Sequence, residues 1–501
     1  MKTKSWRHPL FTLTATAALI ICSVILIHSK SDSASSEELN LYLDFRLPIN
    51  IRDFRTVPDA VLYGAIASPL ISFDSSGQIS GSLAESWTVD MNSNKVKIKL
   101  RSARWSDGSE ITSKDIASSF QQASTFLTRS ASSLVENISD ISIVAEDVIE
   151  FTLRAGFSPR QFLEQQSEVI YGISKTKDDT TDTSVSSGPY VIKQLNANQI
   201  VLEINPYWHG ADSTKGIFPL VNLRKPKQVN VFEDILNDPW PSLIQVPNFI
   251  QRKHLPLISS SRLVYSDLNG LFNLSYGGKL HLDKFLALSK FLRSYATFKN
   301  ATDLVADAAP AHQIFPEGAT LYSESIPPKD KVSRAELNWV NNRGISVAFV
   351  PTRFPIEVAI EICKSIQLAL NERCDLVETE IQSLQQLRKE GRTDFILSGL
   401  LVDTFNIDGA LSYYLEPDYA VIPSGDTVET NFQKKLKSIR RAKSGNRTNA
   451  YKKLVSDIVQ NGAILPIFHA SSGIITRRNA ALSKEYGSTN GFSIIDVRRG
   501  P

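Results

Sequence analysis

The sequence holds only three cysteines in 501 residues, and no two of them form a CxxC pair. There is no HExxH motif, and the seven histidines are scattered, so neither a zinc site nor any other resident metal or cofactor is expected. A P-loop and a GxSxG elbow are also missing, which leaves phosphoryl transfer and serine hydrolysis without a motif. The carboxylates Asp394, Asp403 and Asp408 and many serines are available, but nothing in their spacing argues for catalysis, and the chain reads as a non-enzyme. Excess charge is lacking too. Fifty-five basic against 52 acidic residues give +3, too near neutral for a nucleic-acid binder. The run Arg440-Arg441-Ala442-Lys443 reads as the solvated face of a helix.

What is present is ordinary for folded domains: 42% hydrophobic and 21% charged residues. A chain of this length should divide into two or three domains. Its N-terminus is distinctive. Lys2, Lys4 and Arg7 precede Leu10 to Ile27, an apolar stretch without charge, and a polar tract follows. This is an export pattern that places residues from about 37 onward outside the cytoplasm. The run is long for a cleaved signal and just long enough to span a bilayer. Three outcomes stay open: an uncleaved anchor, cleavage at the small residues Ser33-Ala34-Ser35, or lipidation at Cys22. Lipidation ranks last, because Ile21 precedes Cys22 where a small residue is needed.

Along the chain, Leu39 to Leu43 reads as a strand and Asp59 to Pro69 as a helix ended by its proline. Lys95 to Leu100 alternates strictly, as a half-buried strand does. Arg104 to Gly108 is a tight turn. Thr112 or Ser113 caps a helix with Asp115 in its first turn. Ser139 to Val144 and Val148 to Leu153 form two strands around Glu146-Asp147. Cys363 lies in a helical pattern, and Cys374 follows at a turn into a strand. With Cys374 kept near the helix end, Cys363 would lie about 16 Å up the axis, so a disulfide between them is not expected.

Between Ser80 and Phe120 the residues carry a family resemblance. Leu83-Ala84-Glu85-Ser86-Trp87, a β pair, Leu100-Arg101, Trp105-Ser106-Asp107-Gly108, and then Thr112 and Asp115 leading a helix resemble the signature of extracytoplasmic solute-binding proteins of family 5. That family is the oligopeptide- and dipeptide-binding class serving ABC importers. Gly188-Pro189-Tyr190 with Asn205-Pro206, Asn273, Ala311 to Ala319, Arg447 and Ile464 to Ser472 continue the resemblance in order. The chain departs from the pattern at Arg52-Asp53-Phe54, where Leu-Asp-Pro is usual, and in the helix after Asn273, which lacks the usual arginines.

The resemblance implies a two-lobed α/β fold like the periplasmic binding proteins, of the large peptide-binding type. Lobe one would comprise 37–225 plus 470–501, with a β-rich subdomain near 75–185, and lobe two 226–469, after an N-terminal segment 1–36. It implies capture of a short peptide, or a related small solute, between the lobes, delivery to a membrane permease, and a monomer. The site falls at Thr393 to Leu415. An apolar strand runs from Asp394 to Val402, and Asp403 stands directly behind it. By resemblance, Gly399 and Leu401 offer main-chain groups to an extended peptide, and Asp403, on the same face, meets its α-amino group. Asn406 lies in the turn that follows, and Asp403 could equally cap that turn. Leu400 replaces a customary Trp, and Asn406-Ile407 a customary Asp-Pro. Glu85, Trp87, Trp105 and Asp107 read as packing and turn chemistry, and Gly188-Pro189-Tyr190 as a backbone device. A binding or sensor protein that kept this fold without transport is the alternative.

Overall fold

The computed structural model describes residues 37–499 apart from 53–56, 74–77, 126–134, 136, 168, 178–179, 211–215, 227–234, 247–249, 258–260, 266–269, 318, 320, 323–331, 352, 381–382, 402–410, 412–414, 416–428, 442–446, 472, 479 and 483–493. Two large sheets organise it. The first has seven strands: β1 (Glu38–Tyr42), β10 (Tyr190–Leu195), β11 (Gln199–Ile204), β12 (Leu220–Arg224), β13 (Ser242–Val246), β14 (Arg262–Tyr265) and β21 (Gly473–Arg477). Their order is β10-β11-β12-β1-β13-β21-β14, so β1 lies inside, parallel to both neighbours. Leu39 and Leu41 of β1 are fully buried, as a central strand requires. They pack with Val61, Leu62 and Ile66 of the helix Val57–Ile66 and with Tyr190, Leu202 and Leu223.

A four-stranded antiparallel sheet is appended to this lobe. It consists of β4 (Ala84–Asp90), β5 (Lys95–Leu100), β6 (Ile138–Ala145) and β7 (Val148–Leu153), in the order β4-β5-β7-β6. Along β5, Val96, Ile98 and Leu100 are buried, while Lys97 and Lys99 are exposed, so the alternation read from sequence is the alternation of burial. The buried face packs on Ile116 and Phe120 of the helix Ser113–Thr125 and on Trp105, which is fully buried. Asp115, in the first turn of that helix, reaches back to Thr112, accepting from that residue's backbone N–H and hydroxyl at 2.8 Å each. Three two-stranded ribbons complete the strand list: β2 (Ile71–Phe73) with β3 (Ile79–Gly81), β8 (Thr176–Lys177) with β9 (Thr180–Thr181), and β22 (Ala480–Leu482) with β23 (Val497–Arg499).

The second large sheet has six strands, β15 (Gly270–Tyr276), β16 (Ala308–Pro310), β17 (Ile345–Phe349), β18 (Cys374–Glu378), β19 (Phe395–Leu401) and β20 (Leu465–Ala470). Their order is β16-β20-β15-β19-β17-β18. One face carries the helices Leu282–Tyr295 and Ile356–Leu370, and Leu271, on the other, packs with the helices Glu429–Arg441 and Arg447–Gln460.

The expected start of lobe two at 226 is displaced. β13 and β14 pair into the first sheet through β1 and β21, so the chain leaves that sheet only after Tyr265. Sheet membership here depends on partners about two hundred residues away, which no local pattern reports. The two crossings run side by side: Tyr265 pairs with Gly473 on one side, and Gly270 with Ala470 on the other. Gly270 permits this approach, since a Cβ there would stand 2.9 Å from the Ala470 carbonyl oxygen. A third tie is non-covalent. Ala306 donates to the carbonyl of Ile250 at 2.7 Å, and Arg252 to that of Leu304 at 2.9 Å.

A second correction concerns the cysteines. Cys363 and Cys374 form a disulfide with a Cα–Cα distance of 5.5 Å. Asn371 ends the helix Ile356–Leu370 at φ 50°, in the left-handed region, and sends the chain back along the helix. An extended chain advances about 3.3 Å per residue against 1.5 Å for a helix. The three residues from Glu372 to Cys374 therefore regain the height that the helix climbed over eight. Among the described residues, no helix is long and apolar enough to cross a membrane; Leu10 to Ile27 and Cys22 lie outside them.

Candidate functional site

β19 forms because Phe395 to Leu397 is apolar and buried on both sides, the composition of a central strand. Its start is fixed by a buried ionic knot. Asp394 is fully buried and accepts from Arg343 Nη2 at 2.5 Å, from the Ser346 backbone N–H at 2.9 Å and from Ser346 Oγ at 2.8 Å. Lys279 Nζ stands 4.0 Å away. This carboxylate is fully engaged in joining β19 to β17, which answers the burial cost that its position in the sequence raises.

The other end of β19 is different. On one side the strand pairs with β15 along its whole length, from Tyr276–Phe395 to Gly270–Leu401. On the other it pairs with β17 only through Phe395 and Ile396, in parallel. β17 ends at Phe349, and the chain turns away at Val350, whose carbonyl accepts from Arg353 and Phe354. From Ser398 to Leu401, therefore, no described strand covers that edge. The open stretch ends level with Gly270 and Ala470, where the chain crosses between sheets. In open α/β sheets such a position, beyond the carboxyl end of a parallel strand, is where ligands are held.

Gly399 lies in this open stretch, opposite Phe272. A Cβ at 399 would stand 2.8 Å from Phe272 Cε1 and 3.4 Å from Phe354 Cζ. The Phe272 ring cannot yield readily, because it stacks on Phe468 at 4.7 Å and meets Phe354 edge-on at 5.6 Å. Glycine here keeps both the aromatic cluster and the backbone approach. Leu401 is placed by its pairing with Gly270. Asp403 and Asn406 lie outside the described residues, as do Asp408, Tyr413 and Tyr414.

Two buried polar side chains near this edge were not singled out by their chemistry in the sequence. Asn273, on β15, is fully buried and accepts from Ser398 Oγ at 3.0 Å, while its own Nδ2 meets no acceptor among the described residues. His469, on β20 beside the crossing, is 5% exposed and lies 3.1 Å through Nε2 from the Gln313 carbonyl. Burial pushes its pKa down to about 4, with the nearby His312 acting the same way. It is thus a neutral imidazole; with Nε2–H donating to the carbonyl, Nδ1 is the unprotonated nitrogen, and it has no partner among the described residues. The only available signal for it was one histidine inside an otherwise apolar strand.

The motifs read as structural lie away from this edge. Asp107 accepts from the backbone N–H of Ser109 at 2.9 Å and from Lys175 Nζ at 2.6 Å, closing the turn that follows Trp105. Gly188 passes so close to the first helix that a Cβ would stand 2.6 Å from the Ala65 carbonyl oxygen. Tyr190 OH donates to Phe218 O at 2.8 Å. Among the described residues, no group of His, Cys, Asp and Glu is arranged to hold a metal ion.

Residues 78–227 match the model of the bacterial extracellular solute-binding proteins, family 5 Middle. A Haemophilus influenzae protein described only as a binding protein is 23% identical over 441 residues, covering 81% of this chain and 78% of that protein. The fold is that of two-lobed periplasmic binding proteins. It superposes with a TM-score of 0.76 on an ABC transporter-associated periplasmic binding protein of Helicobacter pylori in complex with the peptide STSA. That match has 16% identity and covers 93% of this chain and 98% of the other. It also superposes with a TM-score of 0.74 on an Agrobacterium protein in complex with agropinic acid, at 15% identity, covering 93% and 98%. In those two proteins the shared fold accompanies a peptide and agropinic acid, respectively.

Proposed function

We propose that this protein is the extracytoplasmic solute-binding component of an ABC importer, and that its solute is a short peptide held in extended form. The observation that carries this reading is the open edge of β19, which runs out beside the two crossings. An extended peptide laid on Ser398 to Leu401 would satisfy main-chain groups that the sheet leaves unpaired, and it would do so at the boundary between lobes. Asp403, two residues past Leu401 in the chain, is the proposed partner of the peptide's α-amino group, with Asn406 in the turn behind it. Closure about the paired crossings would then hold the solute, and no bond is made or broken. The N-terminal basic and apolar segment exports the chain, as cleaved signal or as anchor, and a membrane permease receives the solute from a monomer.

Calorimetric titration with a pool of di- to pentapeptides tests this. A charge-assisted contact between carboxylate and ammonium contributes about 1.5–3 kcal/mol. Asp403→Asn should therefore weaken binding roughly ten- to a hundredfold, and N-acetylation of the peptide should do the same to the unaltered protein. If no peptide in the pool gives heat, or if both changes leave the affinity untouched, the peptide reading is lost.

A further inference from the structure

We propose that the paired helices Glu429–Arg441 and Arg447–Gln460 dock this protein on an anionic lipid bilayer. Their charge is sharply unlike the rest of the chain. Residues 430–456 contain nine lysines and arginines and no aspartate or glutamate. The whole chain nets +3, so removing these nine leaves −6 on everything else. So many cations in one stretch of an otherwise acidic chain are a local concentration of charge, not its average composition.

The geometry of the pair turns part of that charge outward. The helix Glu429–Arg441 buries Phe432, Leu436 and Ile439, and the helix Arg447–Gln460 buries Tyr451, Leu454, Val455, Ile458 and Val459. These residues hold the two helices on the outer face of the second sheet. Lys434 and Lys453 are exposed, and Lys452 is half-buried. Lys435 is bound to Asp457 at 2.7 Å, an acid just beyond the basic stretch. Lys434, Lys452 and Lys453 have no carboxylate within ion-pair distance among the described residues.

The face suits a lipid surface better than a shaped protein partner. Protein interfaces are anchored by aromatic and large aliphatic residues, and lysine is depleted from their centres. Among the described residues, no large hydrophobic side chain is exposed anywhere after Leu368. Around the lysines stand Ser438, Thr448 and Asn449, all exposed and polar. Flexible point charges with no apolar anchor match a fluid array of phosphates, which has charge without fixed shape. The proposal is independent of which solute the protein carries.

The test is sedimentation with vesicles of phosphatidylglycerol and phosphatidylcholine. The protein used is the chain from Glu37 onward, which contains every described element, with its fold checked by circular dichroism. It also omits Leu10 to Ile27, which would enter any bilayer irrespective of charge. This protein should bind phosphatidylglycerol vesicles and not phosphatidylcholine vesicles. Binding should fall steeply between about 20 mM and about 150 mM salt, where the screening length shrinks to about 8 Å. Each surface cation contributes roughly fivefold to such binding. The triple variant Lys434→Glu, Lys452→Glu, Lys453→Glu should therefore bind at least roughly a hundredfold more weakly while melting at the same temperature. Equal binding to both lipids, no binding to phosphatidylglycerol at low salt, or full binding by a folded triple variant would each overturn the proposal. An effect seen only with an acidic polypeptide would assign the helix pair to a protein partner instead.

Discussion

Removing the Cys363–Cys374 disulfide should cost the protein about 3 kcal/mol. The bridge closes a loop with a sequence separation of 11. Chain-entropy loss for a loop of that length is about 9 cal/mol/K, which at room temperature is about 3 kcal/mol. The loop contains the last turns of the helix Ile356–Leu370 and the reversal at Asn371, and it ties an edge strand, β18, to the body of lobe two. The perturbation is the pair Cys363→Ala and Cys374→Ala, which removes the bridge without leaving a free thiol. Cys363 is only 6% exposed, so its alanine adds a small loss of packing in the same direction. Urea denaturation followed by fluorescence gives the difference, and hydrogen exchange locates it. Amides from Cys374 to Glu378 should lose protection first, while those of Phe395 and Ile396, where β17 lies between β18 and β19, should keep theirs. Mild reductant should reproduce the shift in the unaltered protein. An unchanged urea midpoint in both experiments, or alkylation of both thiols in the native protein before reduction, would refute the bridge and with it the account of the reversed chain.

Other expectations are shorter to state. His469 titrates near 4 in the folded protein and near 6.5 unfolded, so the unfolded chain takes up the extra proton between those values. Its contribution is full above about pH 6.5 and lost as pH falls toward 4, up to about 3 kcal/mol. His209, pushed down to about 4 by burial, acts the same way. Denaturation at pH 7 and pH 4.5 should show His469→Gln falling less than the parent protein, and equal losses in the two would refute the assignment. Asp394→Ala should destabilise by about 3 kcal/mol, because Arg343 and the Ser346 N–H lose their acceptor; a change under about 0.5 kcal/mol in a urea melt would be incompatible with the buried knot. Gly399→Val should cost about 1–3 kcal/mol by forcing Phe272 out of its stack, and thermal melting at parent-like temperature would show that the ring can yield.

Where the fold was legible in the sequence, the information was local. Lys95 to Leu100 announces its strand because lysine and apolar residues alternate with the pleat, and burial follows residue by residue. Thr112 and Asp115 announce a helix start because the cap needs only side chains three positions apart. What could not be read depends on distant partners. SLIQV carries nothing that assigns it to the first sheet; its place comes from lying parallel to Asn40–Tyr42 and antiparallel to β21. The disulfide was hidden by a single left-handed residue, Asn371, and by the difference in rise between helix and strand.

The site divides along the same line. That a carboxylate follows an apolar strand is visible in the sequence, and so is the glycine within that strand. Why position 399 must be glycine is not, because the reason is the ring of Phe272 on a strand more than a hundred residues earlier. Nor can a sequence say that β17 stops short. The peptide reading needs an unpaired backbone edge at the crossing between lobes, and that edge arises from a mismatch in length. β17 ends at Phe349, while β19 runs on to Leu401 with, among the described strands, β15 alone beside it. A sheet with two strands of equal length here would have offered Asp403 no neighbouring main-chain groups to act with. The proposed peptide contact therefore rests less on the carboxylate than on the turn at Val350, after which no described strand covers the edge.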